Sequence, residues 1–253
     1  MKKGFGDLFS ETINEYRKKF LSILNIFLFL YLIPIIVFMV IIVILVVILI
    51  AGSSFSEFQI TNFSLASITG FATSEMSNAP AGLLIILIPI ILILFLALVY
   101  FLLLETISIL LVGFSKKELL FNEIFRNARK YFWKYLGLII VQLIFLLGLF
   151  LLLIIPGIIF FVYWIFSNYV LINEKTDIMQ SLKRSKEIVK GRWWGVFGYF
   201  ILIIIIYVGS SIIISFIPLA NLIVSQLVLI PFLILFLKNF YLDLKTNPVR
   251  KRK

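Results

Sequence analysis

Residues 15–51 read EYRKKFLSILNIFLFLYLIPIIVFMVIIVILVVILIA, a short charged run followed by 32 residues without a charge. About 20 apolar residues suffice to cross the ~30 Å hydrocarbon core of a bilayer. The run therefore reads as a membrane span of excess length that must tilt, protrude or bend, with Pro34 as the expected bend point because proline lacks an amide hydrogen.

Outward from this stretch, the 23 Lys and Arg residues fall in four clusters, at residues 2–19, 116–134, 175–192 and 238–253. Basic residues are retained on the cytoplasmic side during insertion, so each pair of neighbouring clusters must be separated by an even number of crossings. Each intervening apolar stretch holds two passes and is too short for four. The expected fold class is thus an all-α polytopic membrane helix bundle with six transmembrane helices, at about 20–51, 82–113, 136–155, 158–172, 195–217 and 222–241. It forms a single integral membrane domain over 1–253, in the cell (plasma) membrane, with both termini cytoplasmic. The Ser-, Thr- and Asn-rich stretch 52–80 carries no base and is expected as the external loop.

Three cytoplasmic interfacial amphipathic helices are expected beside the spans. The first, 5–19, places Phe5, Phe9, Ile13 and Tyr16 at helical spacing. The second lies in KKELLFNEIFRNARKYFWKYL (116–136), with Ile124, Phe125, Ala128, Phe132 and Tyr135 on one face. The third lies in TDIMQSLKRSKEIVKGRWW (176–194). An offset of 62 residues superposes Lys130, Tyr131, Phe132 and Pro156 on Arg192, Trp193, Trp194 and Pro218. Either a duplicated unit or the shared needs of any interfacial hairpin accounts for that match. Pro156 and Gly157 interrupt an apolar run and are expected to form a structural turn outside the membrane. The span after it, 158–172, is short, so spans 3 and 4 either cross fully or form a re-entrant hairpin.

Composition narrows function. Hydrophobic residues make up 62% of the chain, against roughly half in soluble domains. The net charge of +11 sits in clusters flanking the spans, where bases attract anionic headgroups by ~1 kcal/mol each. The expected partners are therefore membrane lipids of the inner leaflet, with a membrane-protein partner or homo-oligomer also open, and not nucleic acid. Cys and His are absent. That excludes disulfides, thiolate chemistry, imidazole or thiolate metal ligands and a Ser/His/Asp arrangement. No catalytic residue, metal site or cofactor is expected.

Two groups of residues are candidates for a site. Glu105 is the one acid embedded in an apolar run (FLLLETISIL) and, with Gln142 and Asn168, would form an intramembrane polar site; intramembrane carboxylates are costly and mark sites by default. The alternative reading places Glu105 at the inner headgroup level, and interhelical hydrogen bonding is the commoner use of such amides. Arg184, Lys190, Arg192, Trp193 and Trp194 are the candidate phospholipid headgroup contacts.

The stretch Ile154–Phe200 resembles the glycerophosphoryl diester phosphodiesterase membrane-domain family, in the order Pro156-Gly157, Glu174, Leu182, Arg184-Ser185, Val189-Lys190-Gly191 and Trp194. The resemblance implies a six-span membrane architecture. In that family the membrane domain sometimes precedes a phosphodiesterase barrel dependent on His and metal-binding acids. With no His and 12 acids in all, no hydrolytic activity is implied here. The function expected is that of a non-catalytic membrane or envelope scaffold or lipid-interacting protein. The alternative is a small transporter or channel for an amphiphilic or small solute that uses Glu105 and Asn168.

Overall fold

A computed structural model describes residues 2–55, 79–117, 119–217 and 220–248. The described residues are helical, with no strand among them. In chain order they form α1 (Phe5–Ile26), a π-helical segment (Phe27–Leu32), α2 (Ile33–Phe55), α3 (Ala79–Phe114), α4 (Phe121–Leu152), α5 (Ile154–Trp164), α6 (Ser167–Glu174), α7 (Ile178–Val189), α8 (Trp193–Ser215), α9 (Ala220–Val224), a second π segment (Ser225–Leu229) and α10 (Ile230–Thr246). Six helical runs are long and apolar enough to cross a membrane: Phe5–Ile48, Leu87–Phe114, Phe121–Leu152, Ile154–Glu174, Trp193–Ser215 and Ser225–Thr246. This is the constitution of a multi-pass integral membrane protein. Most of the expected external loop, residues 56–78, lies outside the described residues, as does Pro218.

The chain divides into two compact units, Leu30–Leu102 and Met1–Phe29 with Leu103–Lys253. The described part of the first contains no charged residue. Its helices expose large apolar side chains on every side, among them Ile36, Met39, Val43, Val47, Ile93 and Phe95. Such all-round apolarity is what lipid contact asks of a helix. The division falls inside the first π segment, just before Pro34. A proline at 34 gives no amide hydrogen to the Leu30 carbonyl one turn earlier, and π segments are a common accommodation of a disturbed ladder.

In the larger unit α10 is the strut. Leu235, Phe236, Phe240 and Tyr241 are fully buried, and so on its other sides are Lys238, Asn239 and Asp243, at 4–5% exposure. Helix α1 runs antiparallel beside it: the Phe5 ring lies 5.2 Å from that of Phe236, and Phe9 lies 5.0 Å from Phe232.

Two of the three expected interfacial helices are not separate elements. Residues 5–19 continue without a break into the first span, with Leu8 and Thr12 fully buried. Residues 121–135 likewise continue as α4, a helix of 32 residues, or about 48 Å by helical rise. Neither Gly nor Pro stands between Leu119 and Leu136 to end it, and Ile124, Ala128, Phe132 and Tyr135 are buried inside the protein. Only the third, α7, is a helix of its own. The 62-residue register consequently aligns unlike places, since Lys130 and Tyr131 lie mid-helix while Arg192 precedes the start of α8.

The turn expected at Pro156-Gly157 is also displaced. The chain reverses at Leu153, whose backbone is extended (φ −157°, ψ 124°), and Pro156 and Gly157 belong to the first turns of α5. Proline is accepted there because the first-turn amides have no intrahelical partner. Gly157 instead serves packing: a Cβ on it would lie 2.7–2.9 Å from the Phe150 ring. With α5 starting at Ile154, the fourth span gains the length that 158–172 lacked, running Ile154–Glu174 with a short break at Ile165-Phe166.

The four basic clusters are tied directly to one another. Lys19 and Lys238 share the Glu15 carboxylate, Lys134 pairs with Asp177 at 3.0 Å, Arg184 and Lys245 share Glu174, and Arg192 donates to the Leu244 and Asn247 carbonyls. Residues of all four clusters are therefore joined to one another within the larger unit.

Candidate functional site

The break between α5 and α6 leaves backbone groups without helical partners, and side chains from two other helices supply them. Ser185 of α7 accepts from the Phe166 amide (3.2 Å) and donates to the Tyr163 carbonyl (2.7 Å). Gln142 of α4 donates to the Trp164 carbonyl (3.1 Å) and to Ser167 Oγ (2.7 Å). Gln142 is thus an interhelical tie. Asn168, next along, keeps its Oδ1 buried without a partner, and no hydrogen bond among the described residues joins either amide to Glu105.

Helix α7 sits on this break. It buries Ser181, Leu182, Ser185, Ile188 and Val189 and exposes Met179, Gln180, Lys183, Lys186 and Glu187, with Lys190 exposed as the residue that follows it. Met179, Lys183, Lys186 and Lys190 recur at intervals of four, three and four, the spacing of one helix stripe, and the exposed Glu187 beside them pairs with Arg184. The Lys186 ammonium lies 5.1 Å from the Phe160 ring centre and 5.7 Å from that of Tyr163, an attraction of roughly 0.5–1 kcal/mol at an exposed site. Trp194, 79% exposed, follows the helix.

The other expected headgroup contacts are engaged within the protein. Arg184 reaches Glu174 (3.4 Å) and Glu187 (3.2 Å). Partial burial opposes its charge, but these carboxylates outweigh burial and hold the guanidinium above its ordinary value. Arg192 caps the ends of two helices, donating to the carbonyls of Ile188 (3.0 Å) and Leu244 (2.9 Å) and to that of Asn247. Burial lowers its pKa, with Asp243 opposing. The Trp193 indole N–H donates to the Ile159 carbonyl at 3.3 Å. Of the five residues expected to face headgroups, Lys190 and Trp194 are exposed; Lys183 and Lys186 join them on the same side of α7. Helical spacing could have found these two, since they share a face with Lys190 whereas Arg184 does not.

Two polar clusters lie deeper. At the first, Glu15 accepts from Lys19, Lys238 and Asn239 at 2.6–3.0 Å, and both ammonium groups also reach the Gly113 carbonyl at the end of α3. Cations are favoured at a helix C-terminus. Gly113 permits the approach, because a Cβ there would come within 3.1 Å of Leu235.

At the second, Glu105 is 2% exposed and accepts from Gln226 Nε2 at 2.8 Å through Oε2. Its Oε1 has no partner, and neither has the buried hydroxyl of Ser108. Gln226 belongs to the second π segment, where Tyr16 donates to the Leu227 carbonyl at 3.0 Å. That carbonyl is the one Pro231 leaves unbonded for want of an N–H. Glu105 is therefore a buried residue of the helical interior, with a partner other than Gln142 or Asn168.

Among the described residues no group of three or more His, Cys, Asp or Glu side chains could hold a metal ion. The geometry is that of a multi-pass helical membrane protein in which several charged side chains join helices. Set beside known proteins, the chain matches no family model, no curated protein and no solved structure.

Proposed function

We propose that the chain is a non-catalytic polytopic protein of the cell membrane that gathers anionic inner-leaflet lipids on the exposed stripe of α7 and thereby acts as a membrane scaffold. The observation that carries this reading is the contrast between two groups of its basic residues. Arg184, Arg192, Lys19 and Lys238 are held by carboxylates or carbonyls within the protein, whereas Lys183, Lys186 and Lys190, though Lys186 also lies over two rings, are exposed on and just after α7 between Met179 and Trp194. Apolar and aromatic ends around a row of cations suit a surface pressed into headgroups. The reading places the four basic clusters in the cytoplasm and is in keeping with the resemblance to the phosphodiesterase membrane-domain family.

Each lysine near an anionic surface contributes ~1 kcal/mol, or about a fivefold preference. Native mass spectrometry from nanodiscs of mixed anionic and zwitterionic lipid tests the reading, with Lys183→Gln/Lys186→Gln/Lys190→Gln set against Arg184→Ala. The triple variant should lose most of its retained anionic lipid and Arg184→Ala should keep it. Equal retention by the triple variant and the wild type would sink the proposal.

A further inference from the structure

We infer that the hairpin of α4 and α5 does not cross the bilayer: it is a re-entrant wedge that enters and leaves on the side of α7, with its turn at Leu153 seated among the acyl chains. This rests on the reading of α7 as a helix at the membrane surface. Two contacts then fix the level of α5. The Trp193 indole N–H donates to the Ile159 carbonyl at 3.3 Å, and the Lys186 ammonium lies 5.1 Å from the Phe160 ring centre. Trp193 opens α8 directly after Arg192, whose guanidinium holds carbonyls at the end of α10. Guanidinium and ammonium groups near helix ends settle at the membrane surface and not in its core. Ile159 is therefore one indole side chain from that surface, and the turn at Leu153 lies a further ~9 Å along α5 by helical rise. Even with every step pointing inward, the turn stays well short of the far side of a ~30 Å hydrocarbon core.

The surface of the hairpin asks for hydrocarbon and not for water. Leu151, Leu152, Leu153, Ile154 and Ile155 are 65–86% exposed, and no side chain from Leu143 to Val162 carries a polar atom. The facing ends of α8 and α9, by contrast, carry Ser215 and Asn221. Part of the cost of a turn in lipid is offset within the turn: the Leu153 N–H donates to the Leu149 carbonyl (2.9 Å), the Gly157 N–H donates to the Leu153 carbonyl (3.3 Å), and Pro156 brings no N–H to bury. At the other end of the hairpin the Lys134–Asp177 ion pair joins α4 to the start of α7 at 3.0 Å. A hairpin with no crossing also keeps the count between the second and third basic clusters even.

Nitroxide labels on single cysteines read the depth in proteoliposomes, by relaxation with oxygen against a water-soluble nickel chelate. A label on Leu152→Cys should respond to oxygen and hardly to nickel, and should lie deeper than one on Ser215→Cys, which is exposed at the end of α8. Ile155→Cys gives a second reading of the same turn, and both substitutions replace exposed side chains. Labels at 152 and 155 as shallow as that at 215 would overturn the inference. An impermeant maleimide on Lys190→Cys separates the two readings. Shallow turn labels with Lys190→Cys modified at the membrane surface would sink the wedge alone, whereas a shielded Lys190→Cys would sink the placement of α7 and the wedge with it.

Discussion

Ser185 shows how much a single hydroxyl can do in an apolar protein. It is fully buried, and it completes both the amide of Phe166 and the carbonyl of Tyr163 where the fourth span is broken. Ser185→Ala leaves both backbone groups unpaired, at about 1–3 kcal/mol for a buried group deprived of its partner. Thermal unfolding in detergent should show the loss, and lipid retention by the folded fraction should stay at the wild-type level. Equal stability of variant and wild type would mean that the break is held by Gln142 and Ser167 alone. In the sequence Ser185 is visible only as half of an Arg-Ser pair beside an expected headgroup contact. Its partners stand 19 and 22 residues away, a separation at which no local pattern operates.

At the scale of elements, apolar length and charge placement make the six spans legible. What stays hidden are the boundaries that depend on one backbone conformation. Leu153 makes the turn between α4 and α5 in an extended conformation that any residue adopts, so it carries no signature, while Pro156-Gly157 carries a strong one and lies inside a helix. Residues 5–19 bury Leu8 and Thr12, and residues 121–135 bury Ile124, Ala128, Phe132 and Tyr135; periodicity does not say whether protein or lipid covers such a face. Gln226 reads as an ordinary member of the sixth span; a lone amide in an apolar run, with a lone acid in another, was the available signal.

The second π segment yields a prediction of its own. Pro231 leaves the Leu227 carbonyl free and Tyr16 takes it, so the two residues should be energetically coupled. Tyr16→Phe should cost about 0.5–1.5 kcal/mol in the wild type, the scale of interhelical hydrogen bonds in membranes. In a Pro231→Ala background, where the substituted residue can supply a helical N–H, it should cost close to nothing. Additive losses in that double-mutant cycle would show that the segment keeps its π geometry without regard to the proline.

For the whole molecule, bonds join residues of all four basic clusters within the larger unit. The Lys2 amide donates to Asp243 at 3.2 Å, and Arg192 holds the end of α10. Both ends of the described chain and the link between α7 and α8 thus share one location. The chain has no cysteine, so Lys3→Cys, Lys190→Cys and Asn247→Cys can be made one at a time without removing any native thiol. A membrane-impermeant maleimide should label all three from the cytoplasmic face. Labelling of Lys190→Cys from the face opposite to Lys3→Cys would refute the even-crossing topology.

The Glu15 carboxylate and Lys238 ammonium are separated by 223 residues. A ribosome adding ~5–20 residues per second takes on the order of 10–45 s to travel that far. Throughout that interval α1 carries Thr12, Glu15 and Lys19 with the partners on α10 not yet made. Nascent chains halted before residue 238 should therefore hold α1 loosely, open to protease or to whatever insertion factor attends it, until α10 arrives and locks it in place.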